Sequence, residues 1–241
     1  MYLYETHCHC SWCSACATSS PEEQVRAYAA AGYAGLVLTD HFIRGNTAVD
    51  RNLPWAQRMH CYYDAYLAAK KAAEDLDFDV IFGIEHQYGG GKEVLLYGIG
   101  LDFLLENDDI PTIPLDELVE RVHKVGGVVI QAHPYRNRAY INMDIHPREE
   151  LLDGVEIYNA CAAPGEDLQA LALAARHGEY ILTSGGDIHR DDDPRIGAAG
   201  ILLPCRVKDG KEFAAALKER AHLLRIGGED LEEVLPRHLG G

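Results

Sequence analysis

Along the chain, short β-like runs alternate with longer helical patterns, and nearly every β-run is followed at once by a side chain that can do chemistry. Residues 2–6 read as a strand and run into His7-Cys8-His9. Residues 35–39 are followed by Asp40-His41, 79–84 by Glu85, and 128–132 by His133-Pro134. Residues 155–158 lead to Asn159, and 180–183 lead through Ser184-Gly185-Gly186 to Asp187-Ile188-His189. Further β-runs lie at 93–99, 199–203 and 222–226. Helical stretches fill the gaps at 55–75, 114–125, 167–177 and 213–220. Another helix starts at Ser20-Pro21-Glu22-Glu23, with a Ser cap, Pro at the first position and acids at the positive end of the dipole, and it ends at Gly32. Strands separated by helices predict a parallel sheet with right-handed crossovers. About seven such units in this length suit a closed α/β barrel forming a single domain over 1–241.

In such a barrel the residue after each strand lies at the C-terminal rim, where active sites are built. His7, His9, His41, Glu85, His133, Asp187 and His189 are therefore expected to converge, although their sequence positions are far apart. In extended chain, residues i and i+2 face the same way, so His7 and His9 can grip one ion while Cys8 and Cys10 point elsewhere. Asp187 and His189 have the same spacing. Imidazole with carboxylate suits Zn, Mn or Fe, and Glu85 can bridge two ions through its two oxygens.

The net charge of −16 argues against a binder of nucleic-acid backbones, and no nucleic-acid partner is expected. A small anionic substrate stays compatible, because a metal ion inverts the local charge. No apolar stretch approaches the about 20 residues of a membrane span, and the first residues lack the basic start and apolar core of a signal peptide. The expected location is the cytoplasm, with no membrane partner. The seven Cys do not resemble a secreted disulfide framework. Four of them, Cys8, Cys10, Cys13 and Cys16, crowd one segment and read either as a thiolate metal site or as small buried hydrophobes.

His7-Cys8-His9-Cys10-Ser11-Trp12-Cys13, Leu38-Thr39-Asp40-His41, Gly83-Ile84-Glu85, Gln131-Ala132-His133-Pro134-Tyr135-Arg136, the run from Gly154 to Asn159 and Gly186-Asp187-Ile188-His189 together resemble the motifs of the PHP (polymerase and histidinol phosphatase) domain phosphoesterases. The resemblance spans nearly the whole chain. It implies a distorted (β/α)7 TIM-like barrel, a cluster of two to three divalent metal ions and hydrolysis of phosphate esters. It further implies a first metal group of His7, His9, Glu85 and Asp187, a second with Glu85 and His133, and a third with His41 and His189. Ser14 or Ala15, and Leu95, stand where family members carry further ligands, which leaves the second and third groups each one protein ligand short. Water, a substrate phosphate and a thiolate such as Cys13 or Cys16 are the ways to fill such a gap.

The expected chemistry is hydrolysis of a small phosphate monoester through a metal-bound hydroxide, with Glu85, Asp187 and His189 in the catalytic set. Asp40 is expected to orient a ligand imidazole. Arg136, Arg190, Asn159 and Arg44 are the candidate substrate contacts, with Arg136 and Arg190 read either as bidentate phosphate clamps or as ion-pair partners of acids such as Asp191, Asp192 and Asp193, and with Arg44 and Lys92 the weaker ones. His60, His86, His123, His146, His177, His222 and His238 read as packed or solvated, with His86 in reserve as a ligand, and Gly89-Gly90-Gly91 as a flexible turn. The alternatives are a metal-dependent amidohydrolase, which usually carries Lys where Glu85 stands, and a non-catalytic metal-binding or regulatory protein.

Overall fold

A capping box opens the first helix: Ser20 Oγ accepts the Glu23 N–H at 3.2 Å, and Glu23 Oε2 accepts the Ser20 N–H at 2.7 Å. That helix, α1 (Pro21–Ala30), closes on Gly32 at φ +84°, and it follows the first strand, β1 (Tyr2–Cys8). The protein, seen here as a computed structural model, is described for residues 1–231. The remaining described elements are β2 (Gly35–Leu38), α2 (Trp55–Ala72), β3 (Asp79–Gly89), β4 (Lys92–Tyr97), α3 (Leu101–Glu106), α4 (Leu115–Lys124), β5 (Val128–Gln131), β6 (Gly154–Asn159), α5 (Glu166–Ala174), β7 (Ile181–Gly185), β8 (Ala199–Leu203), α6 (Gly210–Glu219), β9 (Leu223–Ile226) and β10 (Glu229–Leu231). Together they make a mixed α/β fold on one ten-stranded sheet, in the order β10-β9-β8-β1-β2-β3-β4-β5-β6-β7.

The sheet curls in a TIM-like manner. Beyond β7, the Asp187 N–H donates to His7 O at 2.7 Å, and the His9 N–H donates to Ile188 O at 3.0 Å, so the far side of the sheet returns to β1. Tyr4, Val37, Ile81, Leu95 and Ile130 fill the inside of the curl. Their neighbours of opposite parity, Leu36, Leu38, Val80, Phe82, Leu96 and Val129, pack outward with residues of α1, α2 and α4 such as Val25, Met59 and Leu118. This is the two-faced burial that a barrel strand requires, and each fully buried aliphatic side chain contributes about 1.5–3 kcal/mol.

Two expectations need correction. The sheet is not all parallel: β4 runs antiparallel between β3 and β5, while β8, β9 and β10 add an antiparallel extension beside β1. Strict strand–helix alternation therefore fails at β3–β4. The physical reason is Gly89-Gly90-Gly91, where Gly90 and Gly91 adopt φ +54° and +78°, values that close a hairpin far more readily than a crossover. The acids after Ile226, expected as a solvated tail, include Glu229 and Asp230 in β10, and Asp230 Oδ1 accepts from Arg225 Nε at 2.6 Å. Glu232, Glu233 and His238 lie outside the described residues. Among the described residues, no helix is long and apolar enough to cross a membrane.

Candidate metal centre

Each rim side chain has a local structural reason for its position. In β1 the pairing with β2 shifts register between Glu5 and Cys8, a bulge that inserts one extra residue. Tyr4 faces the inner core above, whereas Cys8 faces the outer core, so the extra residue turns His7 and His9 inward. Glu5 fastens this turn: its Oε1 accepts the N–H groups of Thr6, His7 and Gly186 at 2.9, 2.8 and 2.7 Å. His41 follows β2 and forms a parallel bridge to Glu85 in β3. His133 after β5 and Asp187 after β7 both have positive φ, +23° and +55°, a strained backbone that aims their side chains into the rim. Gly185 and Gly186 leave no room for side chains here, because a Cβ on Gly185 would meet His7 Cβ at 2.6 Å and one on Gly186 would meet Glu5 Oε2 at 2.6 Å.

The seven expected ligands do converge. His7 Nε2 lies 3.2 Å from Glu85 Oε1, and His9 Nε2 lies 3.2 Å from Asp187 Oδ1. His41 Nδ1 is 2.6 Å from Glu85 Oε2, His133 Nε2 is 2.9 Å from Glu85 Oε1, and the His9 and His189 rings stack with centroids 4.3 Å apart. His7, His9 and Glu85 are fully buried, at 0 % exposure. His7 Nε2, His9 Nε2, His41 Nδ1, Glu85 Oε2 and Asp187 Oδ1 are nonetheless left with no hydrogen-bond partner. Buried polar atoms rarely stay unsatisfied, and here five of them point at one another. Four groupings bring their donor atoms within 4.8 Å of one another: His9-His41-His189, His7-His9-Glu85, His7-His133-Asp187 and His41-Glu85-Glu93. Imidazole nitrogens and carboxylate oxygens at this spacing are a donor set that fits divalent cations.

A surrounding layer fixes the imidazoles. His7 Nδ1 pairs with Glu156 Oε1 at 2.9 Å, and Glu156 Oε2 also accepts the His133 N–H at 3.0 Å. His9 Nδ1 meets Ser14 Oγ at 3.1 Å, and Ser14 donates to Asp40 Oδ1 at 2.7 Å. Asp40 thus acts on His9 through Ser14. His189 Nδ1 pairs with the Asp187 carbonyl at 2.9 Å. In each case the ring nitrogen away from the cluster is held and the other is left toward it, the usual way ligand orientation is set.

The electrostatics are those of a cluster balancing itself. Burial pushes the Asp187 carboxyl up, but Arg136 and His7 hold it well below the usual range. Burial likewise opposes ionisation of Glu85, and the imidazoles of His41 and His7 outweigh it, so its pKa is also lowered. Burial lowers the His7 value, yet Glu156, Asp187 and Glu85 raise it well above normal, whereas burial and the neighbours His189 and His41 depress His9. Glu93 is driven up to about 8 by burial and by Glu85. Cys16, which burial would push up, is held down to about 6 by hydrogen bonds with His189 and His41.

Beside the cluster opens a cavity of about 520 Å³ lined by Cys16, His41, Asn46, Gln87, Glu93, Arg136, Tyr140 and His189. Arg136 reaches it with a guanidinium bonded to Asp187 and, through Nη2, to Asn159 Oδ1 at 3.0 Å. Asn159 faces inward, donating to Glu156 Oε2 at 2.9 Å, and does not line the cavity. Arg190 is half-exposed and pairs with Asp192 at 3.2 Å, and Arg44 is exposed, so neither wall of the cavity includes them. Lys92 donates to the Pro134 carbonyl at 2.9 Å, which braces the loop carrying His133. His86 is buried outside the cluster, 6.0 Å from the Phe42 ring. Of the cysteines, Cys8, Cys10 and Cys13 are buried in the outer core, and Cys16 alone lines this cavity.

Glu93 and Glu156 were not among the expected site residues. Leu95, the residue taken for the missing ligand position, packs in the inner core, and Glu93 lies two residues earlier on the same face. Because β4 is reversed, its beginning rather than its end meets the rim.

No protein-family model and no curated protein matches the sequence. Solved structures do match. A Bacteroides vulgatus two-domain protein containing a PHP-like metal-dependent phosphoesterase aligns with TM-score 0.68 at 14% identity, over 95% of this chain and 66% of that one. A Bifidobacterium adolescentis protein described as a metal-dependent phosphoesterase aligns with TM-score 0.55 at 18% identity, over 89% and 95%. Endonuclease Q, solved with a 27-mer duplex carrying an abasic lesion at its active site, aligns with TM-score 0.62 at 13% identity, over 90% and 56%. Another match, from Chromobacterium violaceum, is named an amidohydrolase. The expectation that acidity excludes nucleic acid is corrected in one respect: this fold also occurs in a protein that holds DNA. By its architecture, the chain shares the fold of the PHP-like metal-dependent phosphoesterases.

Proposed function

We propose that this protein is a metal-dependent hydrolase of small phosphate monoesters, built as one domain and working in the cytoplasm, where its thiols stay reduced. The observation that carries the reading is the convergence of unpartnered, buried His7 Nε2, His9 Nε2, His41 Nδ1, Glu85 Oε2 and Asp187 Oδ1 at the rim. His7, His9, Glu85 and Asp187 would hold one cation. Glu85 and His133 would hold a second, with Glu93, 3.6 Å from His133 Nε2, supplying the ligand that Leu95 cannot. His41 and His189 belong to a third. Zinc, manganese or iron, two to three ions per chain, suits this mix of nitrogen and oxygen donors. Divalent cations bound there supply Lewis acidity toward phosphoryl oxygens and lower the pKa of water.

The chain's own residues do the rest. Arg136, its guanidinium oriented by Asp187 and Asn159, presents positive charge to the cavity where a phosphate would sit. His189 has Nδ1 tied to a backbone carbonyl, which leaves its other nitrogen for the cation or the substrate. Glu156 keeps His7 in the required tautomer. The cavity of about 520 Å³ matches a small ester in size. Glu85, where an amidohydrolase would place Lys, favours phosphoester over amide chemistry.

The test is a panel of phosphate esters, with a duplex oligonucleotide included, assayed with Mn, Zn and Fe for the parent and for His9→Ala. The reading expects turnover of small monoesters that falls by about 10²–10³-fold in the folded variant. A His9→Ala protein that hydrolyses at the parent rate contradicts it.

A further inference from the structure

The four clustered cysteines divide sharply. Cys10 Sγ donates to Asp40 Oδ2 at 3.0 Å and Cys13 Sγ to the Cys61 carbonyl at 3.5 Å, while Cys8 packs in the outer core. Their thiols are used up inside the protein. Cys16 is exposed and lines the rim cavity together with His41 and His189. The backbone holds it there from two sides. The Ala15 N–H donates to Asn46 O at 2.8 Å, and the Thr18 N–H donates to His189 O at 3.0 Å, so the loop is stitched to the segments after β2 and after β7.

A second observation points to a ligand at this place. His9 Nε2 and His41 Nδ1 are buried without hydrogen-bond partners, and His9, His41 and His189 bring donor atoms within 4.8 Å of one another. Each of the other three groupings at the rim includes a carboxylate, but this one offers imidazoles alone. The carboxylates nearest these imidazoles, Glu85 at 2.6 Å from His41 Nδ1 and Asp187 at 3.2 Å from His9 Nε2, belong to the neighbouring groupings, and a thiolate would give this one a negative charge of its own. Ser14, nearer along the chain, is committed to Asp40 and His9. Ala15 has no donor.

We propose that Cys16, with His41 and His189, completes a thiolate-bearing cation site that makes this end of the rim prefer zinc to manganese. The inference rests on reading the rim as a multi-cation centre and deepens it by naming the ligand and the metal preference. On binding, the Cys16 Sγ–H bond gives its proton to solvent, and the sulfur lone pair bonds the cation with no change in oxidation state. Soft sulfur favours zinc over manganese, whose preferred partners are oxygens.

Cobalt loading of the whole chain tests this, read by absorption, together with alkylation of Cys16 by iodoacetamide with and without zinc. The parent is expected to show a thiolate-to-cobalt charge-transfer band in the near ultraviolet that Cys16→Ala lacks, and zinc should slow Cys16 alkylation. Zinc affinity of Cys16→Ala should fall by at least about 10-fold with little change for manganese, and Cys16→Asp should restore the cation count without the band. If the rim loads cobalt and the parent shows no such band, or the band persists in Cys16→Ala, the Cys16 assignment is overturned while the rim reading stands. If the folded parent takes up no cobalt at all, both are overturned.

Discussion

The inside of the curled sheet has two zones, and on β4 they are only two residues apart. Leu95 belongs to a buried, mostly apolar belt with Val37, Ile81 and Ile130. Glu93, on the same face, belongs to a zone where Glu85, Glu156, Asp187 and the four histidines His7, His9, His41 and His133 are buried together. The belt stabilises the fold by excluding water. The rim does the opposite, since removing charges from water costs several kcal/mol per ion unless partners compensate. In the bare chain the partners are mutual: imidazoles against carboxylates, with Arg136 on Asp187. Such an arrangement stays favourable only if something gains from it, and divalent cations are what these donors suit.

The comparison is broken most forcefully by changing one atom at the rim. Glu85→Gln keeps the volume and removes the charge shared by four imidazoles, and it should lower phosphate-ester turnover by about 10²–10³-fold while circular dichroism stays that of the parent. The reverse experiment belongs to the belt. Leu95→Ala should lower the unfolding free energy by about 2–5 kcal/mol in urea titrations, yet leave the cation count per chain unchanged. If Leu95→Ala empties the rim of metal while still folded, the two zones are not separable. Glu156→Gln probes the layer between them. It touches no cavity surface, so its effect should be a loss of about 10–100-fold in metal affinity, measured by competition with a chelator.

Protonation gives a smaller but directional effect. Glu93 is held up to about 8 and Glu5 to about 7, both by burial first, against an ordinary 4.5. Both therefore carry protons in the folded metal-free chain at a pH where the unfolded chain has lost them. Their stabilisation is present at low pH and lost as pH rises through the folded values. His7 and His41, raised by acidic neighbours that outweigh burial, add to this slope, and His9 and His133, lowered by burial first, oppose it. The expected outcome is a metal-free protein that loses stability from about pH 5 to about pH 8 and a metal-loaded one with a flatter profile, because the cation takes the place of the Glu93 proton. Urea unfolding across that range with and without chelator measures it, and a metal-free protein that gains stability with pH contradicts it. The smallest effect is expected at Arg190. Arg190→Ala should stay within about 0.5 kcal/mol in stability and leave KM for the preferred ester unchanged, because its side chain pairs with Asp192 away from the cavity.

The strand-end rule made most of the rim legible in the sequence. His7 lies near the end of β1, His9 follows it, and His41, His133, Asp187 and His189 follow β2, β5 and β7, and parallel strands deliver such residues to one edge, while Glu85 lies inside β3, which runs on past the expected end to Gly89. The rule fails where its premise fails. Glu93 escaped because β4 is reversed, and three glycines between two β-runs were the available sign of that hairpin. Glu156 escaped because it sits inside a strand, where a buried carboxylate is indistinguishable in sequence from a solvent-facing one. For Arg190 the sequence leaves a phosphate contact and an ion pair with the neighbouring acids equally open, and the structure pairs it with Asp192. Cys16 lies in a loop with no periodicity, positioned by backbone bonds to Asn46 and His189 that only the folded chain reveals. Asp40 is expected to steady a ligand imidazole, and the structure links it to the His9 ring through Ser14, which the sequence offers only as a gap in the ligand set.

Crystals of the chain loaded with zinc, with diffraction data collected on either side of the zinc absorption edge, would test the central claim most directly. Anomalous peaks bounded by His7, His9, Glu85 and Asp187, with at least one more between Glu85 and the His41, Glu93, His133 and His189 side chains, are the predicted result. A rim without anomalous signal in a chain that is folded and saturated with zinc would contradict it.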